Sequence, residues 1–357
     1  MDDPAILSIG TATPPRSIAQ SAAAEAAIGC CASNDRESRA IRRLYQASSV
    51  HHRGSVLLGA GAGIDNFFPP DLHSRGPTTA QRMAQFERLA PPLAVKACRA
   101  AMDGAALSAS EVSHLVTVTC TGFVSPGVEH RLIAELGLSP QVGRVQVGFM
   151  GCHAGLNAMA IAAAICRTHS SHRVLLCCVE LCSLHFQYGW DEQKLVANAL
   201  FADGAGAAIL GPGPAGDWPA IAGAASRVID GTAAEMGWAV GDHGFEMTLS
   251  PRVPGLIADH LRPWIDEFLA VHGLEVGAIG GWCIHAGGPR IVSAVAHRLG
   301  VNGSSVESSR QVLRDHGNMS SATVLFILER MARARLARPW LMLAFGPGLT
   351  AEAVLLR

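Results

Sequence analysis

Apolar runs that stop on a glycine and pass into helical sequence recur in both halves of this chain, and no single residue constrains the fold as strongly. In the first half, Arg173-Val174-Leu175-Leu176-Cys177-Cys178-Val179-Glu180 is a nearly continuous apolar run, the kind found in a strand buried on both faces of a parallel or mixed sheet. His114 to Thr121 is a β-rich run ending at Gly122, and Pro4 to Gly10 reads as a first buried strand. In the second half, Ala278 to His285 ends in Ala286-Gly287-Gly288-Pro289, and Trp340 to Phe345 is a late strand. Helical stretches are expected over 17–50, over Thr78 to Met102 with an interruption near Pro91-Pro92, and over about 253–272, 290–299 and 320–335, while 194–211 reads as a short helix followed by a strand, Gly206 to Leu210. Alternating strands and helices argue for an α/β fold. The Gly211-Pro212-Gly213-Pro214-Ala215-Gly216 segment is the strongest linker-like stretch. It divides the chain into an N-terminal half, 1–213, and a C-terminal half, 214–357.

Hydrophobic residues make up 49% of the 357 and charged residues 16%, enough to bury a large core and compatible with a sizeable oligomer interface. Lys plus Arg is 28 and Asp plus Glu is 29, so no net field draws the protein to nucleic acid or an anionic membrane. Local basic patches for an anionic ligand remain open. The ten cysteines include no C-x2-C pair of the structural zinc type, and no metal is expected. Adjacent pairs, Cys30-Cys31 and Cys177-Cys178, suit a reduced interior. Met1-Asp2-Asp3-Pro4 lacks a basic signal region, and the longest apolar stretch is too short to span a bilayer, so a soluble cytoplasmic protein is expected.

Cys152 is the leading chemical candidate. Val145 to Met150 reads as a strand, Gly151 as its turn, and His153 onward as a helix. A corner residue at a helix N-terminus meets unpaired N–H groups and the positive end of the dipole, so its thiol is expected to ionise more easily than a free one. His285 ends a strand, and Asn318 lies in the turn His316-Gly317-Asn318-Met319-Ser320-Ser321 before a helix. Cys, His and Asn at element ends can converge on one pocket. There the imidazole would pair with the thiolate and move protons, and imidazole and carboxamide would donate to a thioester oxygen as it becomes an enolate. Singly, each has an ordinary structural reading: most cysteines are small buried hydrophobes, and an Asn in a glycine turn serves its backbone. Residue types alone would also fit a cysteine hydrolase.

The stretches Gly151-Cys152-His153-Ala154-Gly155, Ile284-His285-Ala286-Gly287-Gly288-Pro289, His316-Gly317-Asn318-Met319-Ser320-Ser321-Ala322-Thr323 and Ala344-Phe345-Gly346-Pro347-Gly348-Leu349-Thr350 resemble, in order and over nearly the whole chain, the type III polyketide synthases, the chalcone synthase-like family. The last resembles that family's GFGPGLT loop. The resemblance implies a thiolase-like fold of two similar αβαβα halves in a five-layered core, a homodimer, acyl-CoA and malonyl-CoA as substrates with no further cofactor, and a catalytic triad of Cys152, His285 and Asn318. It further implies that Phe201 is a gatekeeper between CoA tunnel and cavity, that Met247 takes the second gate position where plant enzymes have Phe, and that Gly346 and Pro347 border the site. Arg43 corresponds to a residue that meets the CoA phosphates, with Arg42, Arg53 and Arg290 as other candidates. Cys120, Cys182 and His185 stand where plant enzymes line the cavity with threonine, and Ser125 replaces a methionine that reaches into the partner's cavity. These departures argue against a p-coumaroyl starter. Cys120 is shared with some bacterial members that make small aromatic products, and long-chain starters giving alkylpyrones or alkylresorcinols are equally open. The expected reaction is iterative decarboxylative condensation of malonyl-CoA onto an acyl group held on Cys152, then cyclisation to a pyrone or a resorcinol-type or aromatic product. The competing readings are a β-ketoacyl synthase III-like single condensation with malonyl carrier protein and a non-catalytic homologue.

Overall fold

The structure is a computed structural model that describes residues 3–58, 67–212 and 218–357. The expected boundary between 213 and 214 lies outside the described residues. In chain order the first half comprises β1 (Ala5–Ala12), β2 (Ser17–Ala19), α1 (Gln20–Cys31), α2 (Asp35–Ala47), β3 (His52–Gly54), α3 (Thr79–Gly104), β4 (His114–Thr119), α4 (Val128–Leu136), β5 (Gly143–Gly148), α5 (Ala154–Thr168), β6 (Val174–Leu181), α6 (Glu192–Leu200) and β7 (Asp203–Gly211). The second comprises β8 (Ile221–Val228), β9 (Met236–Gly241), β10 (Gly244–Leu249), α7 (Val253–Val271), β11 (Gly281–Ile284), α8 (Pro289–Leu299), α9 (Glu307–His316), α10 (Thr323–Arg333), β12 (Trp340–Gly346) and β13 (Thr350–Leu356).

Two sheets organise these elements. One runs β1-β7-β6-β4-β5, the other β8-β13-β12-β11. In the first, β7 is antiparallel to β1 and β6, while β6 is parallel to β4. In the second, β13 is antiparallel to β8 and β12, while β12 is parallel to β11. Four strands therefore repeat the same directions in both sheets, and β5, parallel to β4, is extra. The duplication that the order of elements suggested is real at the level of topology.

Strand parity builds the layers. Leu176 and Cys178 of β6 face a core shared with Leu156, Met159 and Ala162 of α5, Val324 and Leu328 of α10, and Met342 and Ala344 of β12. Leu175, Cys177 and Val179 face the other way, onto Phe86, Leu93, Ala97 and Ala101 of α3 and Leu132 of α4. Leu341 and Leu343 of β12 pack on Ile257, Leu261 and Ile265 of α7 and Val292 and Val295 of α8. The result is five layers, helix–sheet–helix–sheet–helix, as the resemblance implies. A strand whose neighbours cover both faces has no polar side, which is why β6 reads as an unbroken apolar run.

The expected break at Pro91-Pro92 is absent: α3 continues through both prolines. Proline in a helix interior removes donors and ordinarily kinks the helix. Here Phe86, Ala90, Leu93, Ala94, Ala97, Cys98 and Ala101 are all buried on one side, and burying that stripe holds the helix across the defect. At its start, Thr78 and Gln81 form a reciprocal capping box. Among the described residues no helix is long and apolar enough to cross a membrane.

Candidate active site

The turn between β5 and α5 carries Cys152. Phe149 has φ +58°, and Gly151 has φ +92°. A Cβ on Gly151 would come within 2.2 Å of Pro347 Cδ, and one on Gly346 within 2.0 Å of His153 Cδ2. The 151–153 corner and the Gly346-Pro347 loop thus touch through two glycines, which explains why both stretches spell glycine at those places. The left-handed Phe149, Ser320 and Leu349 flank the same region, and non-glycine strain of this kind costs on the order of 1–3 kcal/mol each and concentrates where the surrounding structure must hold a side chain in place.

Each partner of Cys152 is fixed by backbone. The His285 N–H donates to Leu343 O at 2.8 Å, continuing the β11–β12 pairing by one residue. Asn318 N–H donates to Leu200 O and Asn318 O accepts from Ala202 N–H, both at 2.9 Å. Asn318 Oδ1 accepts the Ser320 N–H at 2.8 Å, which orients the amide so that its NH2 is the group left to donate, and the Cys152 thiol has that amide and the Ser320 hydroxyl as hydrogen-bond partners. His285 is 2% exposed, and among the described residues neither of its ring nitrogens has a hydrogen-bond partner.

Cys152, His285 and Asn318 line one mainly apolar cavity of about 340 Å³ with Leu200, Met236, Met247, Phe345 and Arg290. The three side chains expected to converge do so. Beyond Cys152 lies an inner chamber of about 30 Å³, lined by Cys120, Cys182, Phe201, Trp238, Met247, Ser320 and Pro347. Cys152 and Met247 border both spaces, so the sulfur sits at the junction.

The expected easy ionisation of Cys152 needs correction. Burial pushes its thiol up to about 12, and the hydrogen bonds from Ser320 and Asn318 offset only part of that. Burial likewise holds His285 down at about 3. Burial thus opposes charge on both groups. Desolvation of a charge in an apolar cavity outweighs the pull of one helix N-terminus, a contribution of only about 0.3–1 kcal/mol at an exposed site and up to about 2 kcal/mol in partly buried geometry.

Other expectations sort by geometry. Cys120 and Cys182 face the inner chamber, and Phe201 stands between it and a neighbouring cavity. His185 lines that neighbouring cavity with Cys182, Phe201 and Met247 rather than the chamber that holds Cys152. It is clamped there: Nε2–H donates to Thr121 O at 2.8 Å, Nδ1 accepts the Phe245 N–H at 2.9 Å, and its ring stacks on Phe245 at 4.1 Å. Arg290 lines the outer cavity. Arg43 lies exposed on α2, next to Leu44, which lines that cavity. Arg42 is paired with Glu25 at 2.7 Å. Arg53 donates inward to the carbonyls of Asn198 and Phe201 and lies over Tyr45, so it is taken up by the fold rather than by the cavity mouth.

Sequence reasoning missed Glu180. This fully buried carboxylate accepts hydrogen bonds from Thr121 Oγ1 at 2.7 Å, Cys120 N–H at 3.0 Å and the Ser321 hydroxyl, and it lies 3.3 Å from Cys120 Sγ. Burial raises its pKa, and the donors counter that in part. Its signal was available as the one charge in the apolar run of β6. Trp238 was missed as well, since a lone tryptophan near a glycine carries no periodicity.

The chain matches the family model for chalcone and stilbene synthases in both parts, the N-terminal domain over residues 2–214 and the C-terminal domain over 220–357. It is 34% identical to the alpha-pyrone synthesis polyketide synthase-like Pks18 of Mycobacterium tuberculosis, over 97% of this chain and 89% of that protein. It is 33% identical to the 1,3,6,8-tetrahydroxynaphthalene synthase of Streptomyces peucetius, over 99% and 92%. The crystal structure of PKS-I from the brown alga Ectocarpus siliculosus superposes with a TM-score of 0.94 at 29% identity, over 99% of this chain and 98% of that one. These relatives favour iterated condensation over the single condensation of a β-ketoacyl synthase III. The chain belongs to the chalcone and stilbene synthase family and is a type III polyketide synthase, an acyltransferase that forms carbon–carbon bonds by iterative decarboxylative condensation of malonyl-CoA and cyclises the product.

Proposed function

We propose that Cys152 is the nucleophile of this synthase and that His285 and Asn318 are its proton carrier and enolate donors, with acyl-CoA and malonyl-CoA as the substrates and no further cofactor. The observation that carries this reading is the buried His285 with two idle nitrogens in the cavity that also holds Cys152 and the Asn318 NH2.

The starter thioester enters the outer cavity, and His285 takes the Cys152 proton as sulfur attacks the carbonyl. Coenzyme A leaves as its thiol with that proton, and the acyl group stays on Cys152. Malonyl-CoA then occupies the cavity. Its carboxylate departs as carbon dioxide, and the electron pair left behind becomes an enolate whose oxygen His285 Nε2–H and the Asn318 NH2 hold. The enolate carbon attacks the acyl-Cys152 thioester, Cys152 leaves as a thiolate that takes up a proton from solvent through His285, and the chain, two carbons longer, is now on CoA. It returns to Cys152 for the next round. The apolar lining keeps water from the thioester. Arg290 at the cavity and Arg43 on α2 are the candidates for the CoA phosphates.

The chain acts as two halves, 1–213 bringing the nucleophile and 214–357 bringing His and Asn. We infer a homodimer: Phe123 is 70% exposed and Met150 42%, beside the unpaired edge of β5, and a second copy would cover this apolar edge. Sedimentation equilibrium should return a mass near twice 37.3 kDa; a monomer mass would remove the dimer. We infer a cytoplasmic location, where the adjacent cysteines Cys30-Cys31 and Cys177-Cys178 would stay reduced.

The reaction is tested by giving the protein an acyl-CoA and malonyl-CoA labelled in its methylene carbon. Products carrying two or more labelled units are expected by mass spectrometry. One unit per product, or a demand for carrier protein, would replace this reading with the single-condensation one.

A further inference from the structure

The turn that presents Asn318 joins α9 to α10 and is strained. Gly317 has φ +75° and Ser320 φ +47°. Glycine takes such a conformation freely, whereas a serine holds it only where the surroundings enforce it. One side chain reaches across the turn. Arg330 of α10 donates from Nη1 to Asp315 Oδ2 at 2.7 Å and from Nη2 to His316 Nε2 at 3.1 Å. Asp315 and His316 are the last two residues of α9, directly before Gly317 and Asn318. The His316 ring also lies against Phe326 of α10, with centroids 5.3 Å apart. A planar guanidinium presents its donors in a fixed fork, so it holds both residues in one register. The other charges nearby are committed: Arg314 to Asp315 at 3.1 Å, Glu329 to Arg333 at 2.7 Å, and Arg53 of β3 to the carbonyls of Asn198 and Phe201.

We propose that Arg330 is a positioning residue for enolate formation: its fork on Asp315 and His316 staples α9 to α10 across the turn and so sets where the Asn318 amide meets the enolate oxygen, with His316 as the acid-sensitive arm of the staple. The inference rests on the enolate role of Asn318 proposed above. Backbone bonds to Leu200 and Ala202 hold Asn318 against the link from α6 to β7. The staple holds the helix that leads into it. Arginine has no acceptor, so its bond to His316 needs an unprotonated Nε2. Protonation removes that acceptor and turns the pair into two neighbouring cations. Burial first, and the Arg330 charge next, hold the pKa of His316 below its ordinary 6.5, with Asp315 opposing. The staple is therefore whole at neutral pH and loses its histidine arm as pH falls below 6.5. A displaced Asn318 amide weakens decarboxylation more than it weakens attack by Cys152 on a starter, because that attack passes its proton to His285.

The test follows carbon dioxide release from malonyl-CoA labelled in its carboxylate, without starter, beside the rate at which a starter acyl-CoA raises the mass of the protein by one acyl group. At pH 7.5 Arg330→Met should slow decarboxylation by about tenfold or more and acylation by less than about threefold. Arg330→Lys, which keeps a cation for Asp315 but not the fork, should lie between. His316→Gln supplies an acceptor oxygen that does not titrate. It should match the natural protein at pH 7.5 and keep its rate of decarboxylation to pH 5.5, where the natural protein should have lost roughly fivefold. Equal losses in both steps, or unchanged decarboxylation in Arg330→Met, would overturn the staple, as would the same acid decline in His316→Gln and the natural protein. Should Arg330→Met fail to fold by circular dichroism, Arg330→Lys and His316→Gln decide the matter. A natural protein that releases no carbon dioxide would overturn the enolate reading itself, whereas release that none of the variants alters would overturn the staple alone.

Discussion

Replacing Cys152 by alanine should abolish chain extension, lowering acyl-CoA-dependent product formation by on the order of 10³-fold or more, since without the sulfur no covalent acyl intermediate forms. Two further readouts locate the loss. The intact mass of Cys152→Ala should not increase by one acyl group after exposure to starter acyl-CoA, whereas the natural protein's should. Decarboxylation of malonyl-CoA to acetyl-CoA should survive, because His285 and the Asn318 amide remain in the cavity. A Cys152→Ala protein that extends acyl-CoA at the natural rate would reject the assigned nucleophile. Loss of decarboxylation together with extension would show that the sulfur also shapes the enolate site.

His285→Ala should fail at both steps. It removes the proton acceptor for the thiol and one of two donors to the enolate, and the loss of a single such donor costs on the order of 10²–10³ in rate. His285→Gln, which restores an N–H donor but no base, should recover decarboxylation more than acylation. Equal rates of decarboxylation in His285→Ala and the natural protein would sink the enolate role. The same residue leaves a mark on stability. Its folded value of about 3 lies below the ordinary histidine value of 6.5, because burial disfavours the charged ring. The unfolded chain therefore binds a proton below pH 6.5 that the folded chain refuses. The stability present above that pH is lost as pH falls, at about 1.4 kcal/mol per unit, roughly 2 kcal/mol by pH 5. His185, held at about 3 by burial as well, adds a like amount. Urea unfolding at pH 7 and pH 5 should show the acid loss reduced in His285→Gln. An unchanged loss would place the acid sensitivity elsewhere.

Burial, which opposes charge on Cys152 and on His285, favours proton transfer in step with the arrival of a thioester. A thiolate standing in an empty apolar cavity would be costly and open to side reactions. A thiol that gives up its proton only as a thioester arrives avoids both. Glu180 reinforces this: a buried carboxylate one layer behind the sulfur opposes a second negative charge there.

Much of this was legible in the chain. The apolar run of β6, the glycine corners and the caps follow from local rules, since a strand buried on both faces and a turn needing positive φ each restrict residue type directly. The motifs around Cys152, His285 and Asn318 pointed, through resemblance, to the candidate triad and to the layered fold. Other features were hidden for equally physical reasons. The continuity of α3 through Pro91-Pro92 depends on a buried face supplied by strands distant in sequence. The protonation of Cys152 depends on how much water its surroundings exclude, which a helix start alone does not state. His185 and Trp238 acquire meaning only from the rings and carbonyls that clamp them.

Sequence by itself determined which residues are the candidates for the chemistry and the alternation that makes an α/β fold, because these are set by residue type and spacing along the chain. Only the tertiary structure decided the charge state of the thiol and imidazole and the size of the space ahead of the sulfur. Both depend on desolvation and on volume, and those belong to the surroundings that distant segments build together.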